Sequence, residues 1–146
     1  MRGYFEIGVF HCKTHHNIGT LWRSAYQLGA SGIFTIGRRY RKQSSDTLKV
    51  PGLIPLRHFV TMDDYNRPHG AVLIGVEMSE RSIPLAKFSH PMQAVYLLGA
   101  EDHGLPQYVM DMCNQVVSVE SVRASSFNVA VAGSLVMYSR LLQGMK

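Results

Sequence analysis

Two unbroken apolar runs in the second half of the chain place the strongest constraint on its fold. Residues 71–77 read Ala-Val-Leu-Ile-Gly-Val-Glu, and residues 94–98 read Ala-Val-Tyr-Leu-Leu. A strand with one face in water alternates apolar and polar residues, whereas a continuous run is typical of a strand buried on both faces. Because such burial needs helices on both sides of the sheet, the two runs predict an open parallel α/β sheet flanked by helices.

The other segments fit this architecture. Aromatic and β-branched residues predict further strands at residues 4–10, 33–36 and 116–119. Capping and periodicity predict three helices: one with Asn17 as N-cap that stops at Gly29, one from Pro106 to Met112, and one with Ser126 as N-cap that reaches about Leu142. Residues 37–55 are rich in Arg, Lys, Ser and Gly and predict a long loop, and Thr61 marks the start of a short helix.

Length and composition exclude several classes of protein. A chain of 146 residues predicts one domain over residues 1–146, and its two cysteines are too few for a disulfide framework. No signal peptide is visible, and the longest uncharged run, residues 124–139, is shorter than the roughly 20 apolar residues of a membrane span. We therefore expect a cytoplasmic protein with no membrane partner. The net charge of +5 favours a polyanionic partner.

The turn after residues 94–98 is the first candidate for a ligand site, because ligands of parallel sheets bind at the carboxyl ends of the strands. Leu105 and Pro106 stand where a phosphate-binding loop needs Lys and Ser or Thr, and no Gly-x-Gly-x-x-Gly is present. Both ATPase and nicotinamide dehydrogenase activities lose their main support. Instead, the turn offers close backbone approach at Gly99 and Gly104, with the carboxylate of Glu101 between them.

Taken singly, the polar candidates have ordinary structural interpretations. Asn17 and Arg23 are compatible with a helix cap and a surface arginine, Glu101 with an exposed acid, and Ser126 and Asn128 with capping residues. Their combination and order are more specific.

Three segments together resemble the motifs of the SPOUT RNA methyltransferases, in the SpoU (TrmH-like) branch. Residues 17–25 (Asn-Ile-Gly-Thr-Leu-Trp-Arg-Ser-Ala) resemble the first motif and residues 98–105 (Leu-Gly-Ala-Glu-Asp-His-Gly-Leu) the second. Residues 126–132 (Ser-Phe-Asn-Val-Ala-Val-Ala) resemble the third, usually written Ser-Leu-Asn-Val-Ser-Val-Ala, with Phe127 in place of Leu. The resemblance extends from about residue 5 to residue 142.

The resemblance implies an open α/β sheet with a deep trefoil knot at its C-terminal end, and a homodimer. It also implies that S-adenosylmethionine binds in the knotted loops, largely through backbone groups. The positions concerned are Val76, Glu77, Leu98, Gly99, Ala100, Gly104, Val117, Ser118, Val119, Ser126 and Asn128. The sequence Ser-Val-Glu at residues 118–120, where relatives often have Ile-Pro-Met, weakens the assignment of Ser118.

The implied activity is methyl transfer to a ribose 2′-hydroxyl of tRNA or rRNA, and small members of this branch often act on tRNA. The catalytic residues implied are Asn17, Arg23, Glu101, Ser126 and Asn128. Because a guanidinium is essentially never deprotonated in proteins, we expect Arg23 to clamp a phosphate and orient the hydroxyl, not to act as a base. Two alternatives stay open: a catalytically silent RNA-binding homologue, and methylation of a base, against which the Ser-x-Asn of the third motif argues.

The charge distribution along the chain indicates where RNA binds. Arg38, Arg39, Tyr40, Arg41 and Lys42 place a stacking ring among four cations, and this segment follows a strand end. Residues 101–120, by contrast, contain acids and no Lys or Arg. We therefore predict that residues 38–42 bind RNA.

A group of metal-binding residue types precedes the first motif, at His11, Cys12, His15 and His16. A closed zinc site needs about four ligands, and no second half with Cys or His spacing follows. We therefore predict no metal and interpret this segment as a polar loop on the substrate side.

Overall fold

The computed structural model describes residues 3–37, 53–123 and 126–145, and within them seven parallel strands form one sheet. The strands are β1 (Tyr4–Phe10), β2 (Ile33–Ile36), β3 (Leu56–Phe59), β4 (Val72–Val76), β5 (Ile83–Pro84), β6 (Gln93–Leu98) and β7 (Gln115–Ser118). The helices are α1 (His15–Gln27), α2 (Gln107–Met112) and α3 (Val129–Gly144), with 3-10 turns at Met62–Asp64 and Leu85–Lys87. The predicted open parallel α/β sheet is confirmed, and the trefoil knot stays a prediction.

The strand order, β3-β2-β1-β6-β4-β7-β5, determines which loops meet. β6 lies between β1 and β4, with Leu98 paired to both Val9 and Val76. Since parallel strands end at the same edge, the loops that follow these three strands converge there. This edge positions the candidate site.

The residues of β6 explain why the sheet needs cover on both faces. Tyr96 and Leu98 pack with α1 and α3 on one face, whereas Val95 and Leu97 pack with α2 on the other. All four side chains are essentially removed from solvent. β6 is therefore buried on both faces, as its continuous apolar run predicts.

Two helix caps differ from the sequence prediction. α1 begins at His15 with Thr14 at the N-cap position, so Asn17 lies inside the first turn. α3 begins at Val129, and the N-cap is Asn128, not Ser126. The Asn128 side chain accepts hydrogen bonds from the amides two and three residues further on, the geometry that makes asparagine a good cap.

Two short strands, β3 and β5, were not predicted. Both are only partly buried and neither shows a run of strand-forming residues, so periodicity offers no signal for them. The start of a short helix at Thr61 is confirmed. The predicted strands at residues 4–10, 33–36 and 116–119 correspond to β1, β2 and β7 to within one residue at each end. None of the helices in the described parts of the chain combines the length and the apolar character that a membrane span requires.

The far end of α3 is fixed to the amino end of β6 by a buried polar cluster, which we call the His90 cluster: His90, Tyr96, Ser139 and Arg140. His90 Nδ1 lies 2.7 Å from the Tyr96 hydroxyl, and its Nε2 lies 3.0 Å from Ser139 Oγ. Arg140 donates to the Tyr96 hydroxyl (3.2 Å) and to the carbonyl of Met92 (2.9 Å). Burial, and then the charge of Arg140, lowers the pKa of His90 to about 4.

Candidate active site

The turn between β6 and α2 is a tight loop that two glycines make possible. The Gly104 amide donates to the Ala100 carbonyl (2.9 Å), which closes the turn. Gly104 has a φ of +64°, a conformation that side chains other than glycine rarely adopt. A Cβ at Gly99 would collide with the backbone of Gly104 and Leu105. The backbone of Gly99 thus lies directly against that of Gly104 and Leu105, and the approach of a ligand at these glycines stays a prediction.

Glu77, at the end of β4, fastens this turn to the neighbouring strand. One oxygen of its carboxylate accepts from the Leu105 amide (2.7 Å), and the other accepts from the Met78 amide (2.9 Å). The carboxylate thus holds the loops that follow β4 and β6 in one arrangement.

Glu101, at the tip of the turn, binds the segment that leads into α1. Its carboxylate accepts from the amides of Lys13 (3.1 Å) and Thr14 (3.2 Å), from the Thr14 hydroxyl (3.1 Å) and from Asn17 Nδ2 (3.1 Å). Burial raises the pKa of the Glu101 carboxyl, but these hydrogen bonds outweigh burial and bring the pKa below its usual value. Glu101 is therefore an ionised acceptor at neutral pH.

Asn17 connects Glu101 to the start of α3. Its Oδ1 accepts from Asn128 Nδ2 (3.0 Å), while Asn128 Oδ1 accepts from the amides of Ala130 (2.9 Å) and Val131 (3.3 Å). We call Asn17, Glu101 and Asn128 the motif junction, because each comes from a different one of the three sequence motifs. These three predicted site residues are brought together by direct hydrogen bonds.

A cleft of about 750 Å³ opens beside the motif junction, and we call it the larger cleft. Nine of the eleven positions assigned to the cofactor line it: Val76, Glu77, Leu98, Gly99, Ala100, Gly104, Ser118, Val119 and Ser126. The other two do not: Val117 is fully buried in the core, and Asn128 lies at the start of α3. Glu101 also lines the cleft.

Several lining residues were missed by sequence reasoning, among them Met78, Met110, Ser121, Val129 and Ala132. Met78 and Ser121 each directly follow a segment considered in the sequence, whereas Val129 and Ala132 lie inside the third motif, so including whole segments and one further residue would have found all four. Met110 reaches the cleft from α2, and its position depends on tertiary packing that no local pattern encodes.

Arg23 is the predicted catalytic residue that the structure separates from the others. It lies on α1, exposed, on the side of the helix away from the buried residues Leu21 and Ala25. It does not line the larger cleft. Ser126, by contrast, is exposed in the cleft wall.

The predicted RNA-binding residues Arg38, Arg39, Tyr40, Arg41 and Lys42 lie outside the described residues. Among residues 3–37, 53–123 and 126–145, no group of three or more His, Cys, Asp or Glu side chains is placed to hold a metal ion.

Comparisons with known proteins agree with this geometry. The family profile described as the SpoU rRNA Methylase family matches residues 5–138. The 23S rRNA (guanosine-2′-O-)-methyltransferase RlmB of Acinetobacter baylyi is 24% identical over 137 residues, which cover 88% of this chain and 55% of that protein. The chain thus spans about half the length of this curated relative.

Solved structures share the fold. The SpoU methyltransferase AviRb from Streptomyces viridochromogenes, in complex with the cofactor AdoMet, superposes with a TM-score of 0.84 at 22% identity, covering 99% of this chain and 62% of AviRb. A structure described as giving insights into the 2-OH methylation of C/U34 on tRNA has a TM-score of 0.82 at 21% identity, covering 98% of this chain and 97% of its own. On the match over residues 5–138, this chain belongs to the SpoU rRNA methylase family, within the SPOUT superfamily.

Proposed function

We propose that this protein transfers a methyl group from S-adenosylmethionine to the 2′-hydroxyl of a ribose in RNA. The observation that supports this most strongly is the motif junction, which ties the three family motifs together at the rim of the larger cleft. The AdoMet complex of AviRb and the 2′-O-methyltransferase activity in the name of RlmB agree with it. We propose that residues 1–146 form one catalytic domain that acts in the cytoplasm.

The larger cleft fits S-adenosylmethionine in size and chemistry. Its volume of about 750 Å³ lies within the range of small-molecule sites, roughly 300–1,000 Å³. Val76, Leu98 and Val119 offer apolar surface for the adenine ring, and Ser118 and Ser126 offer hydroxyls. A Cβ at Gly99 would collide with the backbone of Gly104 and Leu105, and a Cβ at Gly104 would collide with the Glu77 carboxylate, so neither position can carry a side chain. No side chain covers the peptide groups of these two glycines, so a ligand in the cleft can approach them closely.

The residues of this chain supply position and electrostatics. When S-adenosylmethionine is bound, its sulfonium supplies an activated methyl group. The protein must therefore align the ribose hydroxyl oxygen with the bond between the sulfur and that methyl group. Glu101, Asn17 and Asn128 hold the loop before α1 and the start of α3 against the turn. We propose that Arg23 binds the phosphate next to the acceptor ribose through its planar, bidentate guanidinium.

We propose that the working unit is a homodimer. Val131, Leu135, Tyr138 and Leu142 repeat at helical spacing along α3, and each is more than a third exposed. Such an apolar stripe is typical of an interface. Because Arg23 does not line the cleft of its own subunit, a partner that covers this face would also offer a second Arg23. Leu135→Glu is expected to shift the protein from dimer to monomer in analytical ultracentrifugation.

The RNA is recognised, in this proposal, by the basic segment at residues 38–42, and tRNA is favoured over rRNA. We expect that changing Arg38, Arg39 and Arg41 together to Glu weakens RNA binding and leaves S-adenosylmethionine binding intact. Equal loss of both affinities would show that the segment is structural instead.

The proposal is tested with labelled S-adenosylmethionine and total RNA from cells that lack the modification. We expect label in RNA with the natural protein and none with Arg23→Ala. Arg23→Lys is expected to lose most turnover, because an ammonium cannot reproduce the bidentate contact. Full activity of Arg23→Lys would exclude the clamp, and full activity of Arg23→Ala would exclude any catalytic role. RNA that binds but gains no label in the presence of bound cofactor would identify a silent RNA-binding homologue.

A further inference from the structure

A second cleft, of about 610 Å³, lies on the other side of the turn at residues 100–104. We propose that this smaller cleft is a nucleobase pocket, in which an unpaired base of the substrate RNA stacks on aromatic side chains. The inference rests on the proposed function in one respect: it takes RNA to be the substrate. Phe10, His11, Lys13, Gly37 and Tyr108 line the smaller cleft, together with the turn.

An aromatic wall forms one side of the smaller cleft. The imidazole of His11 stacks on the ring of Phe10, with centroids 4.1 Å apart and planes 5° apart. Tyr108, in the first turn of α2, meets the Phe10 ring edge-on at 6.3 Å. Phe10 is buried, whereas His11 and Tyr108 are exposed. A buried ring therefore anchors two rings whose surfaces face solvent.

The backbone holds this wall rigidly. His11 has a φ of +54°, within the left-handed region, and its amide donates to the Ile36 carbonyl (2.8 Å). The absence of a side chain at Gly37 is required, because a Cβ there would overlap the His11 ring. Non-glycine residues held in this conformation concentrate at ligand sites, where the surrounding structure maintains the strain. The wall is thus formed before a ligand arrives.

Polar and charged groups surround the aromatic wall in a pattern that suits a nucleotide. The Lys13 and His103 side chains are 62% and 85% exposed, and both lie close to the Asp102 carboxylate, at 3.2 and 3.6 Å. A nucleotide presents a π face that can stack on the rings and a phosphate that the Lys13 ammonium attracts. The amino and imino groups on the edge of a base can also donate hydrogen bonds to a carboxylate such as Asp102.

The position of the smaller cleft favours an unpaired base of the RNA that is being modified. Residues Ala100, Asp102, His103 and Gly104 line both clefts, so a base held in the smaller cleft lies one turn away from the larger one. Paired RNA hides its bases in a deep, narrow groove, whereas unpaired bases can be splayed out and stacked on aromatic rings. A single-stranded or flipped-out nucleotide is therefore the ligand that matches the pocket.

The test compares Tyr108→Ala and His11→Asn with Tyr108→Phe as the matched control. Asparagine tolerates the left-handed conformation but removes the ring, and phenylalanine keeps the ring of Tyr108. The probe is a fluorescently labelled 12-nucleotide single-stranded RNA of mixed sequence, with binding followed by anisotropy. We expect about tenfold weaker binding for each ring-removing variant, the effect of losing one base–aromatic stack. Tyr108→Phe should bind within about twofold of the natural protein, and S-adenosylmethionine affinity should stay unchanged in all three.

The outcomes separate this inference from the proposed function. RNA affinity that is unchanged in Tyr108→Ala, in a protein that still methylates RNA, would overturn the nucleobase pocket and leave the function standing. Ring-dependent RNA binding without methyl transfer would support the pocket and overturn the function. Tyr108 is 58% exposed, so its removal tests the pocket even if His11→Asn fails to fold. Loss of S-adenosylmethionine affinity in Tyr108→Ala would assign the ring to the larger cleft and would also overturn the inference.

Discussion

The two ends of α3 are both fixed by polar side chains, yet in opposite surroundings. At the first turn, Asn128 joins Asn17 and Glu101 in the motif junction, on the rim of the larger cleft. At the last turns, Ser139 and Arg140 belong to the His90 cluster, which is buried beneath the amino end of the sheet.

The difference separates what stabilises the fold from what is left for a ligand. In the His90 cluster the side chains are directed at one another and at backbone carbonyls, away from either cleft. In the described parts of the chain, no buried side-chain nitrogen or oxygen lacks a hydrogen-bond partner. The motif junction, in contrast, adjoins a cleft with exposed hydroxyl and backbone groups. We therefore expect changes in the His90 cluster to act mainly on stability, and changes around the motif junction to act on activity with a smaller effect on stability.

The largest effect on stability is expected from Arg140→Ala. It would remove the Arg140 hydrogen bond from the Pro91 carbonyl, one of the two hydrogen bonds at the Met92 carbonyl and one of those at the Tyr96 hydroxyl. It would also open a cavity beside Phe5, over whose ring the guanidinium lies. We expect a loss of about 3 to 4 kcal/mol in the free energy of unfolding, measured with urea. Lys87→Ala, at an exposed position, serves as the control and should change stability by less than about 0.5 kcal/mol. Near-natural stability of Arg140→Ala would refute the structural role of the cluster.

The second effect is the pH dependence that His90 confers. Its folded pKa of about 4 lies below the unfolded value of 6.5, so the unfolded state binds the proton more tightly. Stability due to neutral His90 is present above pH 6.5 and declines as the pH falls towards 4, by a total on the order of 3 kcal/mol. His90→Gln removes this titration. Urea unfolding between pH 7 and 4 should therefore show a shallower pH slope for the variant, and identical slopes would contradict the assignment.

The third effect is on activity and not on stability, and it concerns Arg23. Arg23→Ala should lower methyl-transfer turnover by about a hundredfold or more, so that the label in RNA falls to the background, because a substrate-positioning contact is removed. Its free energy of unfolding should change by less than about 0.5 kcal/mol, because Arg23 is exposed. A large loss of stability in this variant would show that the residue supports the fold.

The smallest effect is expected from Asn17→Ala within the motif junction. The variant loses one hydrogen bond to Glu101 and one to Asn128, worth together about 1 to 2 kcal/mol of unfolding free energy. Asn66→Ala, at an exposed position, is the matched control. Methyl transfer should fall along with stability, because the loop before α1 is released from the turn. Unchanged stability would mean that the junction does not hold the motifs together.

The sheet and its central strands were predictable because burial on both faces leaves a local pattern. Residues 94–98 of β6 pack alternately into the hydrophobic cores on the two faces of the sheet, so each of them is apolar. This continuous apolar run was enough to predict the strand. The approximate positions of the three helices followed from capping residues and glycine stops. The edge strand Leu56–Phe59 leaves no such pattern, because only its two end residues pack against the cores and the polar Arg57 and His58 interrupt the apolar run.

Three of the predicted site residues, Asn17, Glu101 and Asn128, lie together in the structure, but the contacts between them could not be predicted. Asn17 and Asn128 were both plausible helix caps, and only Asn128 is one, because the Asn17 side chain is engaged by Glu101 and Asn128 instead. Asn17 and Glu101 are 84 positions apart in the sequence, and Asn17 and Asn128 are 111 positions apart. Contacts over such separations depend on the order of the strands, which no local pattern encodes. The smaller cleft was likewise anticipated only as a polar segment around His11.

The central claim is that the larger cleft and Arg23 together methylate a ribose hydroxyl. Its most direct test is mass spectrometry of RNA that has been incubated with the protein and labelled S-adenosylmethionine and then digested to nucleosides. We expect the label in a 2′-O-methylated nucleoside, and its disappearance when Arg23→Ala replaces the natural protein. Label found on a base, or no labelled nucleoside although S-adenosylmethionine binds, would contradict the claim.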